Sequence, residues 1–155
     1  ARELKISRKE ADGYIERYFK QYPEVRKYLD QSILNAEKHG VSTTLWGRER
    51  MVLGINSENS KKKDAGERIA LNAPIQGTAA DIMKIAMINV FQNLKEQVPS
   101  ARILLQVHDE LLIEVEENLA SEVASFLQSD MEGAGTLAVP ITVNVEIGKS
   151  WSAIH

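Results

Sequence analysis

The chain has 155 residues, enough for one average domain or one piece of a larger one. It contains no cysteine, which excludes a disulfide scaffold, a thiolate metal site and a cysteine nucleophile. Apolar residues make up 43% of it, enough for a core, and its net charge of −3 divides unevenly: residues 1–68 carry 15 Lys/Arg against 11 Asp/Glu, residues 69–155 carry 4 against 11.

No apolar run of membrane-spanning length occurs, and Ala1-Arg2-Glu3-Leu4-Lys5 lacks the apolar core of a signal peptide. A cytoplasmic protein is the expectation. Ser7-Arg8-Lys9-Glu10 has the form of a capping box and predicts a helix to about Gln21, with Tyr14, Ile15, Tyr18, Phe19 and Tyr22 as an apolar stripe that packs into a core. Pro23 stops that helix and suits the first turn of a second, which Gly40 ends. Residues 41–45 and 50–53 read as short β segments joined by a turn at Trp46-Gly47-Arg48-Glu49. Asn56 to Asp64, with Lys61-Lys62-Lys63, is polar and aperiodic and predicts an exposed, mobile loop.

Helical periodicity runs from Ala65 to about Gln97, with a bend or break expected near Asn72–Gly77 because Pro74 removes a backbone donor. Beyond it Ala79, Ile82, Met83, Ala86, Met87, Val90, Phe91 and Leu94 form the face of a buried helix. Two apolar runs, 102–107 and 111–115, suit strands of a hairpin. A helix through Leu119, Val123, Phe126, Leu127 and Met131 follows, and Val139 to Ile147 reads as a last strand, placed at an edge by Pro140. The fold class is α+β: helices and a short hairpin, then a long helix packed on a small antiparallel sheet.

Two stretches carry chemistry. His108-Asp109-Glu110 interrupts the apolar hairpin, so its carboxylates are expected near the core. Adjacent like charges in a partly dry place repel, and a hard divalent cation, Mg²⁺ or Mn²⁺, relieves that repulsion through oxygen ligands. A single histidine among carboxylates does not suit zinc. The second stretch places Arg68, Asn72 and Gln76 four residues apart, on one face of a continuous helix. These are side chains suited to phosphates and base-edge acceptors. The plain reading of each stretch is a polar turn and a solvated helix face.

Taken together, QVHDE between two apolar runs is similar to motif C of family A DNA polymerases, and ERIALNAPIQGTAAD resembles the helix that precedes it there. ARELKISRKEA, YFKQYPEVRKY, TLWGRER, Gly148, Trp151 and His155 keep the same order, so the resemblance covers essentially the whole chain. It implies the end of a fingers subdomain over 1–63 and the motif C half of a palm over 64–155. It further implies that Asp109 is a metal-binding catalytic carboxylate, Glu110 its supporting neighbour, and His108 a residue near the primer terminus. Arg68, Asn72 and Gln76 would contact template–primer DNA. The partners implied are template–primer and dNTP, the cofactor Mg²⁺ (Mn²⁺ as substitute), and the enzyme a monomer active in DNA replication or repair. Two departures stand out. Glu49 interrupts the family's basic run and argues against phosphate holding by that turn. The motif A aspartate and the motif B helix do not appear, so the isolated chain is expected to be inactive. Alternatives are a non-catalytic nucleic-acid-binding module on the same scaffold and a single-subunit RNA polymerase relative, against which Glu110 and PIQGTAAD speak.

Overall fold

A computed structural model describes residues 6–154; the opening ARELK and His155 lie outside the described residues. Helix α1 (Arg8–Gln21) begins at the expected capping box: the Ser7 hydroxyl accepts from the Glu10 N–H at 3.2 Å, and the Glu10 carboxylate accepts from the Ser7 N–H at 2.8 Å. Contact with the Ser7 hydroxyl, and then with its backbone N–H, lowers the Glu10 carboxyl below its ordinary value. Helix α2 (Pro23–His39) starts on Pro23 and ends at left-handed Gly40, φ 73°, whose N–H reaches the Ala36 carbonyl. The aromatic stripe departs from expectation. Tyr14, Ile15, Tyr18 and Tyr22 are each more than half exposed. They pack on one another and on cations instead of a core: Tyr18 lies against Phe19 and Tyr22, and Arg17 sits over the Tyr14 ring.

Strands β1 (Val41–Thr43) and β2 (Glu49–Met51) form an antiparallel hairpin whose turn passes through Gly47 at φ 83°. Helix α3 is longer than the sequence suggests. It runs unbroken from Ser60 to Gln97, through Pro74, so neither the loop at 61–64 nor a break at 72–77 is found. Asn59 explains the early start: its side-chain oxygen accepts from the N–H groups of Lys61 and Lys62. The three lysines oppose the helix dipole in that first turn, which is why composition hides the cap.

The chain divides into two compact units, 1–77 and 78–155. The first has a small core of Ala36, Val52, Ile55 and Ala70, with Ile33 and Ile69 packed on it. In the second, the later part of α3 supplies Ala86, Val90 and Leu94. They meet Val123, Leu127 and Met131 of helix α4 (Ala120–Glu132), and Ile103, Leu111 and Ile113 of strands β3 (Arg102–Val107) and β4 (Glu110–Glu114) pack against them. Phe91 does not join this core; it is 59% exposed. Asn93 donates to both carboxylate oxygens of Asp130 at 2.7 Å, tying α3 to α4.

Residues 139–147 form no regular element and pair with no strand among the described residues, which corrects the expected last strand. Their alternation survives, because Val143 and Val145 pack on the core while the intervening residues are exposed. The backbone N–H of Val143 donates to the Glu132 carboxylate at 3.0 Å. Gln128, then that N–H, holds the Glu132 carboxyl below its ordinary value of 4.5.

Candidate functional site

In the first unit, Arg68, Asn72 and Gln76 lie along α3 and are all exposed, whereas Ala70, Ala73 and Pro74 are buried. At about 100° per residue the two sets occupy nearly opposite sides of the helix. Thus the expected shared polar face exists. Its rear is held by contacts that the sequence does not advertise. Pro74 has no N–H, so the Ala70 carbonyl four residues earlier loses its intrahelical donor. The buried hydroxyl of Ser42, on β1, donates to that carbonyl at 3.3 Å. Arg48, from the hairpin turn, donates from Nη2 to the Gly77 carbonyl at 3.0 Å. A Cβ at Gly77 would stand 2.6 Å from the Thr44 side chain, and one at Gly66 would stand 2.7 Å from the backbone of Ile55. Both glycines therefore admit a close approach that alanine would block.

In the second unit, β3 and β4 are joined by a two-residue turn, His108-Asp109, with Val107 opposite Glu110. His108 has φ 51°, the one left-handed non-glycine residue described. Tight hairpins usually give such a position to glycine, asparagine or aspartate, so His108 holds backbone strain of roughly 1–2 kcal/mol. Gln106 fastens the turn by donating from Nε2 to the His108 carbonyl at 2.6 Å. His108, Asp109 and Glu110 are all exposed, and the expected near-core setting of the carboxylates is not found. A two-residue turn is too short to fold back, so the side chains project from its tip. Among the described residues, Asp109 makes no side-chain hydrogen bond or ion pair.

Adjacent carboxylates are suitable oxygen donors for a hard divalent cation. Even so, no group of three or more His, Cys, Asp or Glu among the described residues could hold a metal. Asp109 and Glu110 fit such an ion only as part of a larger ligand set. Sequence reasoning missed Ser42, Arg48 and Gln106. A proline inside a helical pattern was the available signal for Ser42, because it implies an orphaned carbonyl seeking a donor.

The model of DNA polymerase family A matches residues 1–153, and the chain belongs to that family. DNA polymerase I of Caldicellulosiruptor bescii is 48% identical over 97% of this chain and 18% of its own length. DNA polymerase I of Pseudomonas aeruginosa is 44% identical over 100% of this chain and 17% of its own. The thermostable DNA polymerase I of Thermus aquaticus is 43% identical, over 97% and 18%. A solved structure, the POL domain of Pol1 from M. smegmatis in complex with DNA primer–template and dNTP, superposes with a TM-score of 0.94 at 47% identity. That match covers 99% of this chain and 27% of the other. The chain thus spans less than a fifth of the length of the curated relatives it matches.

Proposed function

We propose that this chain is the fingers-end and motif C portion of a template-directed DNA polymerase that adds deoxynucleotides to a primer 3′-hydroxyl. Residues 1–63 would belong to the fingers and 64–155 to the palm. The observation that carries the reading is the turn at His108-Asp109: a strained, Gln106-fastened backbone presents a carboxylate with no partner among the described residues. Family membership over 1–153 supports it, as does the likeness to a polymerase domain complexed with primer–template and dNTP.

In this reading Asp109, with Glu110 beside it, would hold Mg²⁺ (or Mn²⁺), completed by ligands from outside residues 6–154. The ions would activate the primer hydroxyl and stabilise the leaving pyrophosphate. The chain's own side chains position the reactants. His108 lies by the primer terminus, and Arg68, Asn72 and Gln76 meet the template–primer near the insertion site. Acceptors in the minor groove are common to all correct base pairs, so these contacts sense pair shape rather than sequence. The whole enzyme would work as a monomer in the cytoplasm, in replication or repair. No described helix is long and apolar enough to cross a membrane.

The test is Asp109→Ala in the intact polymerase. Incorporation should fall about a thousandfold, equivalent to roughly 4 kcal/mol of transition-state stabilisation, with duplex binding retained. The 155-residue chain alone should incorporate nothing. Unchanged incorporation by Asp109→Ala would leave a non-catalytic duplex-binding module as the reading.

A further inference from the structure

The β1–β2 hairpin has no assigned part in the reading above, yet three of its side chains, Ser42, Thr44 and Arg48, meet one short stretch of α3. Ser42 replaces the donor that Pro74 removes, at the Ala70 carbonyl. Thr44 fills the space that Gly77 leaves open, and its hydroxyl accepts from the Arg48 N–H at 3.1 Å. Arg48 in turn reaches the Gly77 carbonyl. At the other end, Gly66 lies flat against the backbone of Gly54 and Ile55, and Gly54 itself takes the left-handed φ of 82°. Between those two glycine contacts lie Arg68, Asn72 and Gln76, exposed on the opposite side of the helix. A helix carrying a proline in its interior would otherwise be soft at that point, because one rung of its ladder is missing.

We propose that Ser42, Thr44 and Arg48 are positioning residues: they brace the back of α3 between Gly66 and Gly77 and thereby fix how far Arg68, Asn72 and Gln76 reach toward the base pair they inspect. The inference rests on the assignment of that face to template–primer contact. Arg48 acts through a helix carbonyl, not through a phosphate. Its interruption by Glu49 is then immaterial, since one guanidinium suffices for one carbonyl. Rigidity matters here because a reader of pair shape discriminates only if it cannot follow a misshapen pair; a yielding helix would accept both.

The experiment uses the intact polymerase with Ser42→Ala, Arg48→Ala and Arg48→Lys, beside Asn72→Ala and Gln76→Ala. Extension from matched and mispaired primer termini is measured together with the melting temperature. Arg48→Ala and Ser42→Ala should reduce discrimination against mispaired termini by on the order of tenfold, as loss of a positioning contact does. Arg48→Lys, which can still donate to the Gly77 carbonyl, should restore most of it. Should Asn72→Ala and Gln76→Ala lower discrimination while Ser42→Ala and Arg48→Ala lower only the melting temperature, the bracing role is overturned and the assignment of the face stands. Unchanged discrimination in Asn72→Ala and Gln76→Ala would overturn that assignment and the bracing role with it. Ser42→Ala deletes a single hydroxyl and keeps the test decisive even where Arg48→Ala fails to fold.

Discussion

The two hairpins of this chain are similar in plan and opposite in use. Both are short antiparallel pairs closed by a tight turn with a left-handed residue. In β1–β2 that residue is Gly47, at no conformational cost, and Ser42 and Arg48 of the hairpin donate to carbonyls of α3. In β3–β4 it is His108, which is strained, and the turn sends its side chains outward. Glycine stands where only a backbone shape is required. A side chain is tolerated at such a φ where something beyond shape is required of the position.

That contrast can be broken in order of size by urea unfolding of the chain. Gly77→Ala drives a methyl to within 2.6 Å of Thr44 and should destabilise by about 3 kcal/mol, the upper range for overpacking. Gly47→Ala has free space around it but the wrong φ, and should lose about 1–2 kcal/mol. His108→Gly runs the other way. It should stabilise by about 0.5–1 kcal/mol while slowing nucleotide addition in the intact enzyme. A destabilised His108→Gly would mean the turn is not strained at all. The smallest effect depends on pH. Because the Glu132 carboxyl is lowered from 4.5, its hold on the Val143 N–H is fully present above that value and is lost as pH falls through the lowered folded one. Glu132→Gln should therefore lower stability slightly at neutral pH, change little in strong acid, and so flatten the acid-side decline.

Signals in the sequence hold in the structure where they act through neighbouring residues. The Ser7 box, Pro23 at a helix start, Gly40 at a helix end and the hairpin around His108-Asp109 all appear as expected. The shared face of Arg68, Asn72 and Gln76 was legible too, because spacing by four survives in any continuous helix. What failed depends on partners distant in sequence. Pro74 looks like a helix breaker until Ser42 supplies the missing donor from 28 residues away or more. The stretch 139–147 alternates like a strand, but a strand is a pairing, and no described edge receives it. Tyr14, Tyr18 and Phe91 follow apolar periodicity yet stay exposed, since periodicity reports a face and not what covers it.

Pro74 and Ser42 form a single thermodynamic unit, so their substitutions should not add. Alone, Ser42→Ala leaves the buried Ala70 carbonyl unsatisfied and should cost about 1–3 kcal/mol. With Pro74→Ala already present, the restored amide serves that carbonyl and the hydroxyl becomes dispensable. The order in which a lineage acquires the two changes then matters: alanine at 74 opens the way to alanine at 42, whereas the reverse path crosses a weakened intermediate.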